Sequence, residues 1–288
     1  MNKHHSISPT ALITGASNGI GLELTRMLLQ EGWHVAVLVR SDMPADDPLL
    51  QQKTRDGELR VYKADLADFT ALRRALTSIK QKEAKLDALF NNAGGSFPKL
   101  LYSKQGRELH YELQTVVPYI IVQELKPLLL AGALRTVVNT SSNVASLVKT
   151  FDPAALDRPA AFRKLFGPYA ATKLALSLWT EALAPQLAAE GITVVSADPG
   201  GTNTLRKGNS SGLPFVVRTM MKLLFPPPSV GAARLYEAGF GERRGRPGEL
   251  LIKGRPATLK FSEHGQHVLR LVDTIYRSEY AAVEAKLS

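Results

Sequence analysis

The sequence predicts an α/β fold: a doubly wound parallel sheet of about seven strands with helices on both faces. Three observations lead there. Short runs rich in Val, Leu and Ile lack polar alternation, as in strands covered on both faces. Segments of helical length and period lie between them. A glycine-rich turn joins the first run to the first helical segment. The strands expected in order are Ala11 to Thr14, Trp33 to Val39, Leu59 to Tyr62, Leu86 to Phe90, Thr136 to Thr140, Thr193 to Ala197 and Leu250 to Ile252. The helices between them are Ile20 to Gln30, Ala67 to Lys82, Gly106 to Leu130, Tyr169 to Ala189 and Val230 to Ala238. Asp42 to Leu50 reads as a polar, proline-containing loop, and the tail SEHGQHVLRLVDTIY has helical spacing of apolar groups.

Nothing in this pattern divides the chain, so residues 1–288 are expected to form one domain. With 44% hydrophobic and 22% charged residues there is material for a sizeable core, which excludes wholesale disorder. The absence of cysteine excludes disulfides, thiolate metal sites and a cysteine nucleophile. His34, His110, His264 and His267 form no metal-binding pattern, so no metal is expected. No apolar run approaches the roughly 18 residues of a membrane span, and MNKHHSISPTALITG reaches a strand-like segment with no cleavable apolar stretch before it. The expectation is a soluble, unprocessed, cytoplasmic chain.

The net charge of +10 is uneven: from Arg206 to Lys260 eleven basic residues face three acids. A solvated surface explains such an excess, and contact of this 206–260 region with an anionic membrane or an acidic partner would use it. No groove-reading or base-stacking module accompanies it, so no nucleic-acid partner is expected.

The first strand ends in TGASNGIG, with Gly15, Gly19 and Gly21 leading into a helix. Such a turn, here Gly15, Ser17, Asn18, Gly19, Ile20 and Gly21, lets main-chain N–H groups approach a pyrophosphate, with the positive end of the helix dipole behind them. The G-x-x-x-G-x-G spacing resembles that of the short-chain dehydrogenase/reductase family. The resemblance extends from about Ser8 to Lys253 through Asp65-Leu66, NNAG at Asn91 to Gly94, the serine segment around Ser142, YAATK at Tyr169 to Lys173, and DPGGTNT at Asp198 to Thr204. It implies a Rossmann-type fold and a nicotinamide dinucleotide.

On that resemblance Asp65 and Leu66 meet the adenine, and Asn92, Ala93 and Gly94 line the nicotinamide side. An Asn-Ala-Gly turn after a buried strand also satisfies backbone groups by itself. Pro199, Gly200, Thr202 and Thr204 complete the cofactor set. Val39 falls where the NAD-selective aspartate of the family would lie, and Arg40 follows it. A guanidinium forks onto a 2′-phosphate, so NADP(H) is the expected cofactor. Asp42 close by keeps NAD open.

Tyr169 and Lys173, four apart on a predicted helix, share one face. A cation near a phenol favours the phenolate, which suits Tyr169 to exchange a proton during hydride transfer. Both also belong to the expected cofactor set. Ser142 lies just past the fifth predicted strand, where its hydroxyl can orient a substrate oxygen; Ser141 is the alternative if the loop register slips by one. Family enzymes place an asparagine in the preceding long helix for proton relay; here Gln114 stands at that position, four residues before Pro118, and an ordinary helix glutamine remains the other reading.

The long gap between Ser142 and Tyr169 resembles the retinol-dehydrogenase-like and carbonyl-reducing branches, as does GRPGELLIKGRP. Residues of about 145–167 and 205–228 are expected to form a cap and lid over an apolar pocket. Together these features imply an oxidoreductase moving a hydride between NADP(H) and a carbonyl or alcohol on an apolar small molecule. The alternative is a nucleotide-binding sensor or scaffold without turnover. Family members often pair through the helices that match Gly106 to Leu130 and Tyr169 to Ala189, which keeps a homodimer open.

Overall fold

A computed structural model describes residues 8–201, 226–242 and 244–282. Eight strands form one sheet in the order β3-β2-β1-β4-β5-β6-β7-β8: β1 (Thr10–Thr14), β2 (His34–Val39), β3 (Leu59–Lys63), β4 (Ala88–Asn91), β5 (Thr136–Thr140), β6 (Thr193–Asp198), β7 (Leu250–Ile252) and β8 (Arg255–Ala257). All pairings are parallel except β7 with β8. Strand order reverses between β1 and β4, so the two following loops diverge there and leave a crevice beyond the strand ends.

The parallel strands are buried because helices cover both faces. One layer holds α1 (Gly19–Gln30), α2 (Pro48–Arg55) and α7 (Pro228–Phe240), joined through Leu24, Leu28, Leu50 and Leu235 to Ile13, Val37 and Val195. The other holds α3 (Phe69–Lys82), α5 (Val117–Ala131) and α6 (Pro168–Ala189), whose Leu76, Ile120 and Trp179 meet Leu12, Leu89 and Val137. Alternate strand residues thus serve opposite cores.

Three departures from the sequence reading have local causes. The segment expected to be a loop at Asp42 to Leu50 contains the start of α2: Asp47 caps it by accepting from the Leu50 N–H at 3.2 Å, and Pro48 takes the first helical position, where its missing donor costs nothing. The eighth strand follows a two-residue turn, Lys253 and Gly254, with φ of 51° and 75°. Its Pro256 lies on the sheet edge, where a proline is tolerated. The long helix expected at Gly106 to Leu130 is instead α4 (Leu109–Tyr111), a π turn over Glu112–Val116, and α5. Pro118 cannot donate an N–H to the Gln114 carbonyl four residues earlier, so the regular α ladder breaks at that point.

The tail does form a helix, α8 (Gly265–Ile275). It seats Val268 and Val272 in the core and accepts at Asp273 from the Tyr119 hydroxyl at 2.8 Å. Just beyond it, Tyr276 donates to Glu124 at 3.0 Å. The α5–α6 face expected to offer a dimer surface is therefore covered, at least in part, by the chain's own C-terminal helix. Among the described residues no helix is long and apolar enough to cross a membrane.

Candidate active site

A cleft of about 1150 Å³ opens beyond the carboxyl ends of β1 to β6. Gly15, Ser17, Asn18, Gly19, Ile20, Arg40, Asp65, Leu66, Asn92, Ala93, Gly94, Gln114, Ser142, Tyr169, Lys173, Pro199 and Gly200 all line it. Residues more than 180 positions apart are thus brought to one wall because every strand delivers its following loop to the same edge. Thr202, Thr204 and the part of the expected lid from 205 to 225 lie outside the described residues. Gly21 lies behind the cleft rather than on it.

At one end the main chain makes the site. Gly15 has φ of 70°, and a Cβ there would sit 2.7 Å from the Ala93 Cα. At Gly21 a Cβ would lie 2.5 Å from the Gly15 carbonyl oxygen and 2.6 Å from the Asn92 Nδ2. Asn92 ties the two loops together: its Nδ2 donates to the Thr14 carbonyl at 3.1 Å, and its N–H donates to the Thr14 hydroxyl at 3.0 Å. Asn92 therefore shapes the glycine turn as well as bordering the cleft. The Asn18 side chain does not cap α1, and no acid stands in its first turn. First-turn N–H groups with no side-chain acceptor among the described residues, beside a turn that excludes side chains, fit a pyrophosphate. Arg40 is exposed at the cleft and has no ion-pair partner among the described residues, whereas Asp42 is paired with Lys63. The residues present therefore fit a nicotinamide dinucleotide.

The other end is made of side chains. Lys173 is 4% exposed, and its Nζ donates to the Thr140 carbonyl at 2.6 Å. Loss of water around the amine brings its pKa down to about 7, an effect partly opposed by the charge of Asp198. Burial raises the Tyr169 phenol, the facing Ser142 hydroxyl lowers it, and Asp198 raises it further. Ser142 supplies the contact that lowers the phenol here, while the Lys173 amine is directed at the Thr140 carbonyl.

The two serines separate cleanly. Ser141 is buried, with its hydroxyl shared between Ser177 at 2.8 Å and the Lys173 carbonyl at 3.3 Å. Ser142 caps the short 3-10 turn Asn143–Leu147 and keeps its hydroxyl toward the phenol. Gln114 donates from Nε2 to the Gly95 carbonyl at 3.0 Å, while its Oε1 is buried with no hydrogen-bond partner among the described residues. Its side chain thus supports the loop after β4. From the expected cap, Leu165 lines the cleft, while Leu147 and Phe166 are exposed.

Three cleft residues and one buried residue behind the cleft were given no site role by the sequence reading. Asp198, Arg234 and Lys253 line the cleft from β6, α7 and the β7–β8 turn. Arg234 and Lys253 belong to the basic 206–260 stretch and border the cleft, the first half-buried and the second exposed. His110 is fully buried: Nε2 accepts from the Phe97 N–H at 3.0 Å, and Nδ1 meets Glu108 at 2.6 Å. Its ring lies tilted against Phe97, with centroids 4.6 Å apart, and stands edge-on to Tyr169 at 5.8 Å. Glu108 caps the short helix that holds His110, while Phe97 and Tyr169 come from other elements, a grouping that spacing in the chain does not show.

The sequence profile of the family described as "short chain dehydrogenase" matches residues 9–156 and 157–211. A short-chain dehydrogenase/reductase of Armillaria gallica is 31% identical over 250 residues, 84% of this chain and 80% of that protein. The polyprenol dehydrogenase of Homo sapiens is 29% identical over 251 residues, 84% of this chain and 76% of that protein. Among solved structures, the RhlG/NADP active-site complex of Pseudomonas aeruginosa superposes with a TM-score of 0.63 at 24% identity, covering 88% of this chain and 97% of that one. At that identity the last likeness speaks for the fold.

Proposed function

The chain belongs to the short-chain dehydrogenase/reductase family, and from that membership we propose that it is an NADP(H)-dependent oxidoreductase interconverting a carbonyl and its alcohol on an apolar small molecule. The observation that carries this reading is that Tyr169, Lys173 and Ser142 share one cleft with the glycine turn. When bound, the nicotinamide nucleotide supplies or accepts the hydride.

The protein's own part is to hold the reacting oxygen and its proton. Ser142 orients the substrate oxygen and takes part of the charge that develops on it. Tyr169 stays protonated at neutral pH because burial holds its pKa above the ordinary value, so it is poised to give a proton to an alkoxide. The phenolate left behind regains its proton from solvent through Lys173, whose pKa near 7 lets it take up and hand on a proton without a large energetic step. The carbonyl of Gln114, deprived of an α-helical donor by Pro118, provides a place for a water in that relay, and its longer side chain is accommodated against Gly95. Arg40 takes the 2′-phosphate, while Phe97, Leu109, Leu113, Val144 and Leu165 give the reacting end its apolar border.

The test is NADPH oxidation over a panel of aliphatic, aromatic, steroid and retinoid carbonyls, with a polyisoprenoid aldehyde added because one relative bears the name polyprenol dehydrogenase. Tyr169→Phe should lower turnover by about 10²- to 10⁴-fold, the usual worth of a positioned acid. Equal turnover by that variant rejects the chemistry. A panel without any turnover favours the nucleotide-binding sensor.

A further inference from the structure

We propose that Asp198 is the buried counter-charge of this site, a positioning residue that binds the Ser142 loop, the Pro199-Gly200 turn and the Lys173 amine into one electrostatic unit. The inference rests on the function proposed above, which makes Lys173 and Ser142 reacting groups.

Asp198 closes β6 and is 3% exposed. Its Oδ1 accepts from the Gly200 N–H at 3.0 Å, which fixes the turn after the strand. The Asn143 N–H, next to Ser142, faces the same carboxylate. Turn formation alone would account for one oxygen. The second, Oδ2, is buried with no hydrogen-bond partner among the described residues. A carboxylate oxygen left in that state is costly unless a nearby positive charge offsets it.

The sheet register shows where that charge comes from. Lys173 Nζ donates to the carbonyl of Thr140, and the β6 partner of Thr140 is Ala197, the residue just before Asp198. Amine and carboxylate therefore flank one rung of the β5–β6 ladder. The ionisable groups facing Asp198 among the described residues are Tyr169 and Lys173 from α6, Arg234 from α7 and Lys253 from the β7–β8 turn. The acids that line the cleft elsewhere, Asp65 and Asp68, follow β3 on the other side of the crevice. Asp198 is thus the negative group among three cations and the phenol. Without it, the protonated amine of Lys173 would have, among the described residues, a neutral carbonyl alone to balance it.

The test reads Lys173 itself and needs no substrate. Protein carrying lysine labelled with carbon-13 at the ε position is titrated by NMR, and the Lys173 resonance is assigned by its loss in Lys173→Arg. Asp198→Asn keeps an oxygen to accept from Gly200 and removes the charge. Its Lys173 midpoint should fall by about one pH unit, a roughly tenfold weaker hold on the proton. A purely structural role would lower the melting temperature and leave that midpoint unchanged, and an unchanged midpoint in the folded variant overturns the proposal. Asp198→Ser is the second variant; if neither folds, Asp198 serves the fold alone and the proposal fails. Full turnover by Tyr169→Phe would defeat the proposed chemistry separately, since the titration of Lys173 does not depend on that phenol being the acid.

Discussion

The two ends of the cleft are built from different materials. At the nucleotide end, main-chain amides, a helix terminus and glycines without side chains make the surface, and the contacts that shape it run between Thr14, Gly15, Gly21 and Asn92. At the reacting end the working groups are side chains: Ser142 and Tyr169 are half-buried at the cleft, while Lys173 and, behind the cleft, His110 are taken out of water and held by main-chain groups of other elements, Thr140 and Phe97. The first end is specified by conformation and fails when atoms are added. The second is specified by solvation and charge, and fails when a partner is removed.

Adding one methyl group at Gly15 should give the largest effect. Gly15→Ala would place a Cβ 2.7 Å from the Ala93 Cα at a residue with φ of 70°. Left-handed backbone costs about 1–2 kcal/mol for a residue with a Cβ, and overpacking adds about 1–3 kcal/mol. A loss near 3 kcal/mol, as an order of magnitude, is expected in urea unfolding, with at least a tenfold weaker NADPH affinity by fluorescence titration. Tyr169→Phe should leave that affinity nearly intact. If Gly15→Ala bound NADPH normally, the contrast between the two ends would be broken.

The same contrast explains what could be read from sequence. The glycine turn, β1 and α1 form one contiguous piece of chain, and their requirement for small residues appears directly as Gly15, Gly19 and Gly21. Tyr169 and Lys173 were legible because a helical turn places them together. Ser142 was distinguishable from Ser141 only by resemblance, until the structure showed the Ser141 hydroxyl engaged with Ser177. Asp198 entered the sequence reading only as the first residue of the DPGGTNT segment, and His110 only as one of the histidines that form no metal pattern; what each holds comes largely from other elements, Asn143 and Lys173 for the first and Phe97 and Tyr169 for the second. Among fold elements, β8 and α2 were missed because an exposed edge strand with a proline and a short polar helix both lack a strong apolar period.

Removing a partner at the reacting end should produce an intermediate effect. His110→Phe keeps a ring beside Phe97 and Tyr169 but takes the acceptor from the Phe97 N–H and leaves the buried Glu108 Oε1 without its donor. Orphaning such groups costs about 1–3 kcal/mol. The loop from Gly94 to Phe97 should then exchange its amide hydrogens faster, and KM for the best carbonyl of the panel should rise while NADPH affinity holds. His110→Gln, which can still offer an acceptor oxygen, should recover part of the protection at Phe97. Equal exchange in wild type and His110→Phe would show that the histidine merely fills space.

The smallest expected change sharpens the nucleotide end, where the proposed choice between cofactors falls to a side chain rather than to the main chain. Arg40 lies exposed at the cleft, and its charge-assisted contact to a phosphate would be screened by solvent. Arg40→Ala should therefore reduce the preference for NADPH over NADH by only about tenfold, or about 1.4 kcal/mol. Asp42 is the competing determinant, but it is already engaged by Lys63 in an exposed pair. It would have to give up that partner to meet a ribose hydroxyl, a modest cost for a surface ion pair. The double comparison decides: loss of NADPH preference in Arg40→Ala with no change in Asp42→Ala assigns selection to the guanidinium. The reverse pattern, with NADH use falling in Asp42→Ala and NADPH preference untouched in Arg40→Ala, would assign it to the carboxylate.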